Sequence, residues 1–294
     1  MNKKYKGILY ILLAAFCFAL MNTFVRLSGD LPSIQKSFFR NFVALLAAAF
    51  ILKRSKIGFS FKKENLMLLL LRSICGTIGI LCNFYAVDHL LLSDASMLNK
   101  MSPFFVIIFS YLFLKEKINW VQSLAVIGAF VGSLFIIKPT FSNLDLIPSL
   151  IGLLGGIGAG AAYTAVRSLG QRGEKGPFIV FFFSTFSCVV TLPFLIFQYH
   201  EMTLVQIGYL LLAGLSAAGG QFAITTAYCY APAKEISVYD YSQVVFSAIL
   251  GFILFGQIPD VFSGLGYVII CGMAIFMFLY NMGYLTRKNK SSQS

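Results

Sequence analysis

The chain has 294 residues, 58% of them hydrophobic and only 12% charged, with a mean hydropathy of +0.82. A soluble domain carries about 25% charged residues, and a water-facing fold of this size cannot hide so much apolar surface, so the composition excludes a soluble globular protein and selects the bilayer as solvent. The formal net charge of +12 would point to nucleic acid in a soluble chain, but in a membrane chain it is first a statement about topology.

A crossing helix needs about 20 predominantly apolar residues. In chain order the predicted spans cover 7–28, 34–52, 66–87, 93–114, 119–138, 148–169, 177–198, 204–229, 235–256 and 261–283. The first follows the basic stretch Met1 to Lys6 and superficially resembles a signal peptide. Its apolar run is too long for that, and no clean small-residue cleavage site follows, so it is read as a retained helix. Short polar breaks make hairpins of spans 3 and 4 and of spans 8 and 9. Connections average about nine residues, as in a compact bundle, and none is long enough for a separate enzymatic domain.

Basic residues orient the spans. With the N-terminus inside, most of the 23 Lys and Arg fall in inner segments, among them Lys3, Lys4, Lys6, Lys53, Arg54, Lys62, Lys63, Lys115, Lys117, Arg172, Lys175, Arg287 and Lys288. The outer segments hold only Lys36 and Lys138, beside Asp30, Asp88, Asp94, Asp145, Glu201 and Asp260. Both termini are expected in the cytoplasm, the membrane is expected to be the cytoplasmic one, and no nucleic-acid partner is expected. Cys17, Cys75, Cys82, Cys188, Cys229 and Cys271 lie in apolar runs without a C-x-x-C pair, as buried free thiols do. His89 and His200 lack partners at metal-ligand spacing. No metal, cofactor or catalytic residue is expected.

Sliding the chain against itself by 141 residues, without a gap, places Thr23, Val25, Arg26 and Gly29 on Thr164, Val166, Arg167 and Gly170. Gly79 falls on Gly220, Ala86 on Ala227, Ser96 on Ser237 and Phe105 on Phe246. The repeat divides the chain into residues 1–140 (spans 1–5) and 141–294 (spans 6–10 with a short basic tail). Because five is odd, the second copy enters the membrane from the opposite side, and inverted repeats are characteristic of secondary transporters.

Several blocks carry a family resemblance: Phe39-Arg40-Asn41, Asn83-Phe84-Tyr85-Ala86, Leu92-Ser93-Asp94-Ala95, Ser102-Pro103 and Leu114-Lys115-Glu116-Lys117. Together they resemble the ten-helix EamA-type branch of the drug/metabolite transporter superfamily, over essentially the whole chain. The second copy departs from the pattern, with Val244 opposite Pro103 and Gln257 opposite Glu116. The resemblance implies an all-α membrane protein of two inverted five-helix repeats around a central substrate cavity, without an ATP-driven domain. Arg72 with Gly76 and the Tyr85/Asp94/Pro103 spacing is most similar to the branch that contains transporters of nucleoside-like or flavin metabolites.

Ionisable residues within spans are costly and face a bundle interior or a wet cavity. Arg26 and Arg167 sit near helix ends, where long side chains snorkel to the headgroups. Arg40 and Arg72 lie about 9 Å inside spans 2 and 3, as anion contacts at the two mouths or as helix-locking hydrogen bonders. Span 4 carries Ser96, Asn99, Lys100 and Pro103 on one stripe; span 9 carries Ser237, Asp240, Tyr241 and Gln243 in the equivalent place. Such stripes either glue helices together or line a substrate site, with Tyr239 or Tyr241 stacking on an aromatic group and Lys100 holding an anionic one. Pro103 would free a backbone carbonyl near mid-membrane. Asp240 is the only acid well inside a span and the best carrier if transport couples to protons. The glycines of span 6, Gly152, Gly156 and Gly160, have the spacing of a close helix contact.

The residues therefore point to a secondary transporter of a small organic metabolite, with the bilayer and that solute as its partners. The alternatives are a drug or amino-acid exporter of the same family, or a membrane-embedded lipid-modifying enzyme. The enzyme would want clustered acids or a His base, and Asp88 and Asp94 are the only nearby pair.

Overall fold

The computed structural model describes residues 3–54, 61–114, 119–137, 145–230 and 237–281. The helices are α1 Lys3–Leu27, α2 Ser33–Arg54, α3 Leu66–His89, α4 Leu92–Asn99, α5 Ser102–Leu114, α6 Trp120–Ile137, α7 Leu146–Gln171, α8 Gly176–Phe197, α9 Leu204–Tyr230, α10 Ser242–Phe255 and α11 Val261–Asn281, with short 3₁₀ turns at Lys63–Asn65 and Ser237–Tyr241. Among the described residues nine segments are long and apolar enough to cross a bilayer, and Tyr239–Phe255 is a shorter apolar one. Large apolar side chains stay exposed on many helices, for example Phe50, Val205 and Val268. Water would not tolerate this coat on a monomer, whereas hydrocarbon does.

Span 4, read as one crossing segment over 93–114 with Pro103 inside it, consists of two helices, α4 and α5. Pro103 has no N–H, and its ring crowds the carbonyl four residues back, that of Asn99. The α-type ladder of α4 ends with Lys100 N–H donating to Ser96 O at 3.0 Å, and the chain then tightens to three-residue bonds, Met101 N–H to Leu98 O at 3.1 Å and Phe104 N–H to Met101 O at 3.0 Å. Span 9, expected over 235–256, starts its α-helix only at Ser242, behind the Ser237–Tyr241 turn. No proline marks this second interruption, so it was invisible to pattern. Gly256 at φ 63° ends α10, and Gln257 N–H closes back on Gly251 O at 3.1 Å. Only a residue without Cβ takes that left-handed position cheaply.

Packing reproduces the repeat. Helix α1 packs on α9 as its equivalent α7 packs on α3, and α2 packs on α9 as α8 packs on α3. The pairs α2 with α8 and α6 with α11 are their own equivalents. This is the contact pattern of two copies related by a pseudo-two-fold axis, with antiparallel sense in the membrane. Thr23 and Thr164, matched by the 141-residue shift, even share one bond: each hydroxyl donates to the carbonyl four residues back, Ala19 O and Gly160 O, at 2.9 Å. Glycines set the approach. The Gly152/Gly156/Gly160 ridge of α7 lies on the α4–α5 break, and Gly155 and Gly158 lie on α3.

The two ends of the bundle are chemically distinct. At one, Lys62 N–H and Asn65 Nδ2 donate to Glu174 Oε1 at 2.9 and 2.8 Å, and Lys62 Nζ donates to Arg172 O at 3.0 Å. At the other, Lys36 pairs with Asp88 at 2.6 Å, Gln35 bonds His200 O at 2.9 Å, and Gln206 Nε2 donates to Ser28 O at 3.0 Å. There too, Leu92 N–H donates to Gln257 Oε1 at 3.0 Å. Arg26 reaches the end of α3, donating to Val87 O at 3.1 Å and also to Leu90 O, and so satisfies carbonyls that the helix leaves open. The side chain of Arg167 is outside the described residues.

Candidate functional site

A polar cavity of about 90 Å³ lies where α1, α2, α3, α7, α8, α9, α10 and the α4–α5 break meet. It is large enough for several waters. Asn22, Arg40, Arg72, Asn83, Asn99, Lys100, Tyr163, Gln221 and Gln243 contribute its polar wall; Phe18, Met21, Ile80, Phe84 and Phe183 contribute the apolar one. Both repeats supply residues, and the peripheral α6 and α11 supply none.

Two features organise the wall. The first is a cross-repeat clasp at the interrupted spans. Lys100 Nζ sits 2.5 Å from Asp240 Oδ2, and the Tyr241 hydroxyl donates to Lys100 O at 3.1 Å. Lys100 and Tyr241 are repeat equivalents, so each break holds the other. The carbonyl that the break leaves without a helical donor is thus satisfied by the second copy. Asp240 Oδ1 is buried and lacks a hydrogen-bond partner.

The second feature is an arginine pair. Arg40 comes from the α2 end and Arg72 from the opposite end of the membrane, yet both guanidiniums converge on one ring. Arg72 Cζ lies 3.9 Å from the Phe183 centroid and Arg40 Cζ lies 6.0 Å from it. The expectation of two contacts at two mouths is therefore replaced by one site: long side chains fold toward mid-membrane instead of snorkelling away from it. Gly76 makes this geometry available, since a Cβ there would stand 2.1 Å from Arg72 Nη1. Asn41 holds Arg40 Nη1 at 2.6 Å and ties α2 to α8 through Ser187 Oγ at 2.9 Å. Burying an ion costs several kcal/mol, and a cation over an aromatic face returns about 2 kcal/mol when desolvated. Phe183 and the Asn41 bond to Arg40 therefore offset only part of the cost.

Arg40, Arg72, Asn99, Lys100 and Gln243 line the cavity, and Asp240 and Tyr241 engage Lys100 from behind. Ser96 is buried between helices, 2.7 Å from Ser247 Oγ, and accepts from Asn22 Nδ2 at 3.4 Å. Pro103 stands at the start of α5 and is not part of the lining. Tyr85 stacks on His89 with centroids 4.1 Å apart, away from the cavity. Tyr239 is 36% exposed and meets Phe278 edge-on. The side chain of Ser237 lies outside the described residues, as do Lys115, Glu116 and Lys117. Asn22, Tyr163, Gln221 and Phe183 were not singled out from sequence, and Asn83 only as part of a family block. The signal for the amides was present: uncharged polar residues in mid-span, with Asn22 in repeat register with Tyr163 and Ile80 with Gln221. Asn83 Nδ2 donates to Asn22 Oδ1 at 3.1 Å, so part of this wall also joins α3 to α1.

The sequence profile of the EamA-like transporter family matches residues 5–138 and again residues 146–279. The chain is 33% identical over 266 residues to the pseudopaline exporter CntI of Pseudomonas aeruginosa (strain UCBPP-PA14), covering 90% of this chain and 93% of that protein. It is 28% identical over 296 residues to human solute carrier family 35 member G1, covering 96% and 79%. It is 26% identical over 275 residues to a riboflavin transporter of Vibrio cholerae, covering 90% of each. A solved crystal structure shares the fold, with a TM-score of 0.67 at 12% identity over 95% of this chain and 98% of that one. With both halves matched in turn, the chain belongs to the EamA-like transporter family, a two-repeat membrane protein of the drug/metabolite transporter superfamily.

Proposed function

We propose that this chain is a secondary active transporter that carries a small organic metabolite across the cytoplasmic membrane by alternating access, without ATP hydrolysis. One observation carries the reading: a polar cavity with cationic side chains lies between two inverted repeats and draws its walls from both. Two copies of opposite topology exchange outward-open and inward-open shapes by rocking against each other around such a site. The sequence has no G-x-x-x-x-G-K-[ST] loop, so the driving force comes from solute or ion gradients. In this reading the repeats are residues 1–140 and 141–294, and the Lys62/Arg172 end, with both termini, faces the cytoplasm. The relatives named as an exporter and as a riboflavin transporter support solute carriage. A lipid-modifying enzyme is disfavoured because Asp88 is held by Lys36 and Asp94 accepts from Tyr267 at 2.5 Å, which leaves no paired free acids there.

A thermal-shift screen against amino acids, nucleosides, flavins, organic anions and organic cations identifies the solute. Labelled flux in proteoliposomes then tests carriage; a ligand that binds but is never moved by reconstituted protein overturns the reading. Gly76→Ala provides a sharper test of the site. The added methyl displaces the flexible end of Arg72 and presses on the Phe183 ring at 3.0 Å, with no backbone atom in the way, so folding is retained while the half-saturation concentration for transport rises about tenfold, on the order of 1.4 kcal/mol. An unchanged half-saturation concentration removes Arg72 from the substrate contacts. Asp240 is the acid placed to carry a coupled proton, because one of its oxygens is buried without a donor. Asp240→Asn protein that still transports with the wild-type pH profile eliminates it from that role.

A further inference from the structure

Charge pairing inside this bundle is uneven. Among the described residues Lys36 is matched by Asp88 and Lys100 by Asp240, whereas neither Arg40 nor Arg72 has a carboxylate within ion-pair distance. Both arginines are buried, at 3% and 6% exposure, and the Nε of each has no acceptor. Their guanidiniums stand within about 10 Å of each other around the ring of Phe183. An electrically complete site of this kind takes its negative charge from a ligand.

We propose that Arg40, Arg72 and Phe183 form a binding site for an organic dianion with two carboxylates on a short spacer, one carboxylate to each guanidinium. The planar guanidinium fork matches a carboxylate with two parallel N–H···O bonds. Phe18, Met21, Ile80 and Phe84 on the same cavity wall give the spacer an apolar surface that a bare inorganic ion would leave unused. Closing the cavity over two guanidiniums without a carboxylate strips their water with only Asn41 and the Phe183 ring in its place, whereas closing it over a bound dianion replaces that water. The loaded protein therefore reorients faster than the empty one. This substrate class rests on the transporter reading, but the binding it requires does not.

The test uses the full-length protein purified in mild detergent. Succinate is compared with butyrate, succinamide, sodium sulfate and sodium chloride by thermal shift and by calorimetry. Succinate is expected to bind, with butyrate and succinamide weaker by about tenfold or more, the loss expected for removing charge-assisted hydrogen bonds. Arg40→Gln and Arg72→Gln are each expected to abolish the succinate shift, with Arg40→Lys and Arg72→Lys retaining part of it. The series on the unmutated chain decides the matter even where a variant misfolds. Sulfate or chloride binding as well as succinate overturns the two-carboxylate assignment, and so does equal binding of succinamide or no binding at all. In proteoliposomes loaded with labelled succinate, external succinate is expected to accelerate efflux severalfold. Succinate that binds yet never crosses overturns the transporter reading and leaves the site standing. Flux of a neutral solute without succinate binding does the reverse.

Discussion

Lys100→Ala is expected to lower the thermal unfolding midpoint by on the order of 10 °C and to abolish transport. The substitution strands Asp240, one of whose oxygens already lacks a partner, in a buried position. Breaking one half of a buried ion pair costs about 3–5 kcal/mol. Replacing both halves with apolar residues of similar bulk is often neutral. Lys100→Met combined with Asp240→Val is accordingly expected to regain most of the lost stability while remaining inactive. Thermal unfolding of both single variants and the double variant, with flux measured in parallel, checks this. A double variant as unstable as the two single losses added together would show that the charges are not coupled. The pair lies where two interrupted helices clasp, so the stability recovered and the transport lost report different things: the first concerns charge burial, the second the role proposed for this wall in transport.

Gly156→Ala is the second large effect. A Cβ on Gly156 would stand 2.6 Å from Leu98 O, a backbone atom that cannot swing aside. Relief requires α7 to move off the break between α4 and α5. Overpacking a fitted contact costs about 1–3 kcal/mol, and the rigid partner puts this position at about the top of that range. Gly208→Ala is the internal control, because an added methyl there meets nothing within 4 Å, and helix propensity favours alanine by about 1 kcal/mol. Denaturation in mild detergent should separate the two variants by several degrees, with transport lost only at Gly156. Equal stabilities would mean that no close approach exists at the break.

The spans were legible because hydrocarbon imposes a length and a composition that no other solvent does. Ends were read less well. Proline signalled strain in span 4, but the late start of α10 at Ser242 has no residue signature, since it depends on contact with the first repeat through Tyr241 and Lys100. The stripe on span 4 divided for a similar reason: Asn99 and Lys100 face the cavity, while Ser96 faces Asn22 and Ser247. Helical periodicity shows that a polar face exists, and cannot separate a neighbour's hydroxyl from a cavity a few ångströms away. The arginines were found, but their meeting was not, because depth was counted along each helix and the reach of a long side chain was not. Phe183 was illegible altogether in a chain with 31 phenylalanines; what distinguishes it is the pair of arginines over its ring.

The scaffold's two-fold character does not extend to its charge. The repeat positions of Arg40 and Arg72 are Phe181 and Ala213 in the second copy. Swapping the shapes of the halves therefore does not regenerate the same site facing the other way: the cations always travel with the first repeat. In the transporter reading, the inward-facing and outward-facing forms are then chemically inequivalent, and the half-saturation for a given solute is expected to differ between the two sides of the membrane.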